Sequence, residues 1–301
     1  MHYTLNIGGR LMDLSRPVVM GILNVTPDSF YASSRTGTVE SIARRARQIA
    51  AEGGAIIDVG ACSTRPGSEP VGEDEEMARL RLALPVVRRE VPGAVVSVDT
   101  FRPAVARMAV EELGADIIND VGGSAAASGS PVHCGSAAAS GSPVHCGSAA
   151  VCPSVPYILT SRQPTLRDTL LFFAAETERL HALGFKDIIL DPGFGFGKTL
   201  EQNYELLAQL ERLQVMGLPV LVGLSRKSMV CKPLAITPDE ALNGTTALHA
   251  VALMKGAAIL RVHDVKEAVE TVTLVSGSMP CPTSNVSFAA IPSQPQHNNQ
   301  E

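Results

Sequence analysis

The sequence predicts a single (β/α)8 barrel, with a doubly wound open sheet as the second choice. Two observations lead to this fold. First, four stretches share a pattern in which a helix stops at a glycine and a short apolar strand follows; the glycines are Gly53, Gly114, Gly184 and Gly256. Second, four more apolar segments are separated by helical patterns. Continuous apolar strands are typical of a parallel sheet that is buried on both faces.

Eight strands follow from these patterns. In chain order they span residues 18–23, 56–58, 95–98, 117–119, 157–159, 188–191, 220–223 and 259–261, and the fifth is the least regular. Before them, residues 1–17 predict a small N-terminal hairpin that caps the barrel floor.

Amphipathic helices are predicted between the strands. Met77, Leu80, Leu84 and Val87 recur at spacings of three and four, which places them on one helical face. The stretch ITPDEAL predicts a helix start, with Thr237 as N-cap and Glu240 closing a capping box.

Two segments depart from the pattern. Residues 123–134, GSAAASGSPVHC, recur unchanged at 135–146, so 123–150 is interpreted as a low-complexity insertion in a barrel of residues 18–275. Its two His-Cys pairs leave a metal site open as an alternative to a flexible loop. Residues 276–301 are rich in turn-forming residues and predict a disordered tail.

Composition argues against several classes of protein. The net charge of −5 and the pI near 5.8 disfavour a nucleic-acid or anionic-membrane surface. No apolar run approaches the roughly 18 residues of a membrane span, and the first ten residues do not resemble a secretory signal. Six cysteines in 301 residues do not make a disulfide scaffold. We therefore expect a cytoplasmic protein without nucleic-acid or membrane partners.

The stretch DPGFGFGKT, residues 191–199, looks at first like a nucleotide-binding loop. A Walker A loop needs four residues between its first glycine and the Gly-Lys pair, and the position that this requires is Pro192. A dinucleotide fingerprint spaces its later glycines by two residues, which this stretch does not. Lys198 is instead expected to face outward or to support the loop.

Polar residues follow nearly every predicted strand, where a barrel has its active site. They are Asn24, Asp58, Asp99, Asn119, Asp191, Lys227, Arg261 and His263. Each aspartate alone could be the N-cap of the next helix, and we keep that interpretation, or a scaffold role, for Asp58. Together they predict a site for a polar heterocycle and an anion.

The strand-end residues divide by their chemistry. Asp99, Asn119 and Asp191 suit the amidine-like edge of a pterin or guanine ring, whereas the cationic Lys227, Arg261 and His263 suit a diphosphate. Neutral Asn24 suits one ligand of a Mg²⁺ ion that also binds substrate phosphates. In the turn-rich loop CSTRPGSEP, Thr64 and Arg65 are expected to close over the bound anion.

Eight motifs, in this order along the chain, resemble those of the dihydropteroate synthase family, the pterin-binding barrels of the folate pathway. They are MGILNVTPDSF, DVGACSTRPGSEPV, SVDTF, IINDV, DPGFGFGKTLEQN, GLSRKSM, LNGTTA and LRVHDV. The resemblance implies condensation of 6-hydroxymethyl-7,8-dihydropterin diphosphate with 4-aminobenzoate, the two small-molecule substrates, with release of diphosphate. It also implies Mg²⁺ as cofactor and a homodimer.

The same resemblance assigns roles residue by residue. It implies that Asn24 binds magnesium and that Asp99, Asn119 and Asp191 bind the pterin, with Lys227 as the lysine of the pocket. The diphosphate is expected to contact Thr64, Arg261 and His263. Ser228 is expected to contact the aminobenzoate carboxylate. Arg65 and Gly223 complete the expected substrate-binding set. Asp99, Lys227, Arg261 and His263 are the expected catalytic residues.

This sequence departs from the family in its middle. The repeat replaces a helix after NDV, and the fifth strand continues into TSRQPT, where the family has a Met-His-Met-like motif. The first loop, SFYASSRTG, lacks the usual aspartate-glycine-glycine run. Two alternatives therefore remain beside an active synthase. They are a pterin-binding paralogue with impaired catalysis and a methyltetrahydrofolate-dependent methyltransferase, and the latter has no diphosphate to bind.

Overall fold

The computed structural model describes residues 3–25, 35–62, 71–121 and 152–278. Its first element is an antiparallel hairpin of β1 (Thr4–Ile7) and β2 (Arg10–Asp13), as predicted. Gly8 and Gly9 join the two strands with φ angles of 55° and 88°. Two successive positive φ angles are those of a tight type I′ hairpin turn, which glycine adopts without strain.

Eight parallel strands form one sheet, and each overlaps a predicted strand, although β9 contains only two of the four residues predicted for it. They are β3 (Val18–Asn24), β4 (Ile56–Gly60), β5 (Val95–Asp99), β6 (Ile117–Asp120), β7 (Tyr157–Thr160), β8 (Ile188–Asp191), β9 (Leu221–Val222) and β10 (Ile259–Val262). Their order is β8-β7-β6-β5-β4-β3-β10-β9. A parallel bridge between Leu190 and Val220 joins the two outer strands, so the sheet closes as a barrel. The (β/α)8 prediction is confirmed.

Helices surround the sheet. They are α1 (Arg35–Ala51), α2 (Glu73–Glu90), α3 (Pro103–Glu111), α4 (Leu166–Ala182), α5 (Leu200–Ala208), α6 (Ser228–Leu234), α7 (Leu242–Met254) and α8 (Val265–Ser278). The four glycines expected to stop helices all have φ between 67° and 95°. The capping box of Thr237 and Glu240 is present, but it opens the 3-10 turn Pro238–Glu240 rather than α7.

The predicted domain limits stay predictions. Helix α8 runs to Ser278, so the tail expected from residue 276 would begin inside its last turn. The repeat insertion at 123–150, with its His-Cys pairs, and residues 279–301 lie outside the described residues. None of the described helices is long and apolar enough to cross a membrane.

The hairpin closes one end of the barrel. Leu5, Ile7 and Leu14 pack with interior side chains of the sheet, among them Met20 and Ile56, in a cluster separate from the larger core between sheet and helices. Because strand side chains alternate between faces, the residues two positions further along each strand also face the interior, nearer the carboxyl ends. On six of the eight strands those positions are polar, and they form the base of the candidate site.

Candidate active site

A buried polar layer crosses the barrel interior above its apolar floor. Asp58, Asn119, Asp191 and Arg261 each lie two residues beyond an interior isoleucine, namely Ile56, Ile117, Ile189 and Ile259. Asp58 and Asn119 are fully buried, and Asp191 is 5% exposed. Three predicted site residues from distant parts of the chain are thereby brought together.

Arg261 is held between two carboxylates. Its Nε donates to Asp58 Oδ2 at 2.6 Å and its Nη2 to Asp99 Oδ2 at 2.5 Å. Asn119 Nδ2 donates to the same Asp58 oxygen at 3.2 Å. Asp58, which the sequence assigned to a cap or the scaffold, is therefore the residue that joins the predicted pterin and diphosphate residues. Asp58 follows Ile56 by two residues, just as Asn119 follows Ile117, and this shared spacing in the sequence could have identified Asp58 as a site residue.

Burial and shared charge shift the pKa values of this network. Burial, reinforced by Asp58, Glu76 and Asp120 and opposed by Arg261, raises the pKa of Asp99 to about 7. Burial alone would lower the pKa of Arg261, but the adjacent Asp58 and Asp99 carboxylates raise it overall, so the guanidinium keeps its charge. One guanidinium thus bonds two carboxylates.

Asp191 and Lys227 face each other across the turn that follows β8. Asp191 Oδ1 accepts the amide of Gly193 at 2.8 Å, and Lys227 Nζ donates to Phe194 O at 2.5 Å, 4.8 Å from the Phe196 ring centroid. Burial raises the pKa of Asp191 against the opposing charge of Lys227. Burial likewise lowers the pKa of Lys227 to about 8, with Asp191 opposing that shift. Burial therefore leaves both charged groups poorly solvated unless a ligand bonds to them.

Gly193, the first glycine of DPGFGFGKT, is needed for a close approach of the chain to itself. Gly193 has φ 69°, and a Cβ there would lie 1.8 Å from the carbonyl oxygen of Ser161. Lys198 Nζ ties the same two segments, donating to Ser161 O at 3.2 Å and Gly193 O at 3.0 Å. The expectation that Lys198 supports the loop is confirmed. Asn203, which sequence reasoning did not single out, accepts the amide of Gly195 at 2.7 Å.

Two crosslinks join the loops that carry Lys227 and His263. Ser225 Oγ accepts the His263 amide at 3.2 Å and lies 3.1 Å from its Nδ1. Arg226 donates to both carboxylate oxygens of Asp264, at 3.0 and 2.5 Å. The φ angle of Arg226 is 57°, which is unusual for a residue with a side chain. The sequence analysis did not identify Arg226 or Asp264, because no sequence pattern indicates that an arginine adopts a left-handed conformation.

The remaining predicted residues lie around the same opening or outside the described chain. A Cβ at Gly223 would lie 3.6 Å from Lys227 Nζ and 3.9 Å from Arg261 Cβ, so glycine leaves room between those side chains. Ser228 is exposed as the first residue of α6. Thr64 and Arg65 lie outside the described residues.

The position expected to bind magnesium has suitable oxygens. Asn24 is exposed at the end of β3, paired in register with Gly60. A Cβ on Gly60 would lie 3.4 Å from Asn24 Oδ1 and 3.9 Å from Asp99 Oδ2, so both oxygens border a space that glycine keeps open. Among the described residues, no group of three or more histidines, cysteines or acids is arranged so that it could hold a metal ion by itself. Such a sparse oxygen set fits Mg²⁺, which keeps most of its waters and relies on substrate phosphates.

The fifth strand is intact despite its unusual sequence. β7 pairs with both β6 and β8, with Thr160 opposite Asp191. Beyond it, Arg162 donates to Val121 O at 2.8 Å, and its guanidinium carbon lies 5.4 Å from the Phe196 ring centroid. The substituted residues therefore still connect β7 to the glycine turn.

Comparisons with known proteins agree with this geometry. The family described as "Pterin binding enzyme" matches residues 20–263. The dihydropteroate synthase of Escherichia coli K12 is 39% identical over 283 residues, covering 90% of this chain and 95% of that protein. That of Bacillus subtilis is 35% identical, covering 88% and 89%.

Solved structures agree as well. The Xanthomonas albilineans dihydropteroate synthase with 4-aminobenzoic acid superposes with a TM-score of 0.77 at 35% identity, covering 93% of this chain and all of that one. The Thermus thermophilus enzyme in complex with 4-aminobenzoate gives a TM-score of 0.75 at 33% identity, covering 92% of this chain and all of that one.

Proposed function

We infer the roles of the site residues from one premise: this chain belongs to the dihydropteroate synthase family, and it is a transferase of the pterinylmethyl group. The reaction joins a dihydropterin methyl diphosphate to 4-aminobenzoate. The observation that supports this activity most directly is the buried layer in which Arg261, held by Asp58 and Asp99, lies beside Asn119.

The pterin ring is assigned to the interior layer. Asp191 and Asn119 present a carboxylate and an amide to the ring edge, while Asp99 lies at the rim near the reacting carbon. Lys227, whose stem passes Gly195 and whose ammonium lies beside Gly223, contacts the ring from the other side. Burial leaves a carboxylate poorly solvated, and a hydrogen bond from an amino group of the ligand replaces the missing solvation.

The diphosphate is assigned to the rim. Arg261 and His263, together with Thr64 and Arg65, meet the anion, because they supply the cations and hydroxyl that follow the strands. Ser228 is assigned to the aminobenzoate carboxylate.

The chemistry follows from this placement. The bond between the methylene carbon and the diphosphate oxygen breaks, and its electron pair leaves with the diphosphate, whose developing charge Arg261 and His263 stabilise. Asp99 and Asp191 favour positive charge at the departing pterinylmethyl group. The unprotonated aromatic amine then forms the new carbon–nitrogen bond and loses one proton to solvent. No covalent bond to the protein is needed.

Magnesium is proposed to be held by Asn24 once diphosphate is bound. When bound, the ion would supply Lewis-acid stabilisation of the leaving group. Arg261 and His263 fix the orientation of the diphosphate from the protein side.

A homodimer in the cytoplasm is the proposed state of the protein. Val251 and Met254 on α7 and Leu274 on α8 are 38%, 69% and 75% exposed, and the two helices pack side by side. A second copy would cover this apolar surface. The net charge of −5 favours neither nucleic acid nor anionic membrane as a partner.

Diphosphate release tests the activity. The full chain is incubated with the pterin diphosphate and Mg²⁺, with and without 4-aminobenzoate. Release that depends on 4-aminobenzoate is expected. Tight binding of the pterin diphosphate without release would support the impaired paralogue instead, and methyl transfer from methyltetrahydrofolate would support the methyltransferase.

A further inference from the structure

Hydrogen-bonding groups without partners are concentrated in the polar layer of the barrel. Seven buried side-chain atoms of the described residues have no partner, and four of them lie on the barrel strands, facing its interior. These four are Asp58 Oδ1, Ser97 Oγ, Asn119 Oδ1 and Thr160 Oγ1, all on residues that are fully buried. Buried polar atoms in native proteins are nearly always bonded, so a bound molecule is expected to complete this set.

Neither the sequence pattern nor the family resemblance assigned a role to Ser97 or Thr160, and of these two it is Thr160 that pairs with Asp191. The neighbours of Thr160 on β7 establish which way it faces. Ile158 packs in the interior cluster with the hairpin, whereas Tyr157 and Leu159 pack in the outer core. Alternation therefore directs Thr160 into the barrel.

The position of Thr160 next to Asp191 relates it to the pterin. The two residues are paired in register on β7 and β8. The methyl carbon of Thr160 lies 3.3 Å from the place where a Cβ of Gly193 would be, so the methyl group faces the glycine turn and the hydroxyl occupies the other branch. A threonine hydroxyl both donates and accepts, whereas the thioether of a Met-His-Met-like motif is only a weak acceptor.

We propose that Thr160 is a specificity-determining residue of this synthase and that its hydroxyl hydrogen-bonds the heteroatom edge of the bound pterin beside Asp191. The fifth strand, which departs from the family motif, thereby contributes a polar contact to the ring. This inference rests on the pterin position given under the proposed function.

The test compares two threonines that are alike except for their place. Thr160→Val removes the hydroxyl at nearly constant volume. Thr169→Val is the matched control, because Thr169 is equally buried and its Oγ1 also has no partner, but it lies on α4 outside the barrel. Affinities of the full-length parent and both variants are measured by calorimetry for 6-hydroxymethyl-7,8-dihydropterin diphosphate and for inorganic diphosphate alone.

Thr160→Val should weaken binding of the pterin diphosphate about three- to tenfold, the effect of one neutral hydrogen bond, and leave inorganic diphosphate unchanged. Thr169→Val should change neither affinity. Thr160→Ser keeps the hydroxyl and should bind within about twofold of the parent, which guards against a variant that simply folds poorly.

Equal affinity of the parent and Thr160→Val for the pterin diphosphate would overturn the inference. So would an equal loss of affinity for inorganic diphosphate in Thr160→Val, or a Thr160→Ser variant that binds the pterin diphosphate as weakly as Thr160→Val. A parent that binds no pterin diphosphate would instead contradict the proposed function itself.

Discussion

Replacing Asp58 by asparagine should separate a positioning carboxylate from an ordinary buried acid. The change keeps the volume but removes the charged acceptor that lies 2.6 Å from Arg261 Nε and 3.2 Å from Asn119 Nδ2. Of the two carboxylates bonded to it, Arg261 would then keep only that of Asp99. A hydrogen bond to a charged group contributes about 1.5–3 kcal/mol. If that energy fixes Arg261 for the diphosphate, kcat/KM should fall about ten- to a hundredfold.

The pH dependence of the same variant gives a second measurement. The Asp58 charge is one of the causes that raise the pKa of Asp99 to about 7. Its removal should lower that pKa, so the acid limb of kcat/KM for the free enzyme should move to lower pH. Diphosphate release measured from about pH 5 to 9 at saturating 4-aminobenzoate provides both readouts.

Asp116→Asn is the matched control. Asp116 also pairs with an arginine, Arg88, at 2.8 Å and accepts a backbone amide, but it precedes β6 rather than lying at the barrel mouth. It should reduce stability without changing the pH profile. If Asp58→Asn behaves like Asp116→Asn, with an unshifted acid limb and only a lower melting temperature, the positioning role of Asp58 is refuted.

Three further changes test other parts of the site. Asp191→Asn should weaken pterin affinity about ten- to a hundredfold in calorimetry while the melting temperature is kept, since it exchanges an ionised acceptor for an amide; unchanged affinity would remove Asp191 from the pterin site. Asn24→Ala should abolish the Mg²⁺ binding that appears only with diphosphate present, and tight binding to the ligand-free protein would indicate another metal site. Lys227, with its pKa lowered to about 8, should discharge as pH rises through about 8, so kcat/KM should fall there and Lys227→Arg should move the fall upward. Because the unfolded lysine holds its proton to about 10.4, the free energy of unfolding should rise between about pH 8 and 10.4, and a flat curve would count against a poorly solvated Lys227.

The sequence predicted the features that depend on local patterns. Glycine stops, apolar strands and the polar residues that follow them repeat along the chain, so the barrel and the position of Asp191, Lys227 and Arg261 at its mouth could be inferred. The partners of those residues could not. Asp58 and Arg261 are 203 residues apart, and only closure of the barrel brings them within hydrogen-bonding distance.

Backbone conformation set a second limit on what the sequence could predict. The sequence shows that residue 193 is a glycine but not why it must be one. The reason is the carbonyl oxygen of Ser161, just beyond β7, which would lie 1.8 Å from a Cβ at position 193. Arg226 adopts a left-handed conformation that its residue type does not suggest. Its cost is offset by contacts with Asp264 that form only in the folded barrel.

The hairpin at the barrel floor has a kinetic consequence. Because Leu5, Ile7 and Leu14 fill the lower end, the described part of the barrel opens toward the carboxyl ends of the strands. If both substrates enter from that end, the one that binds deeper must arrive first. With the pterin in the interior layer, as proposed, the pterin diphosphate would be the leading substrate, and the joined product would have to leave before the next turnover could start. Steady-state patterns with a dead-end pterin analogue should then show a compulsory order of addition.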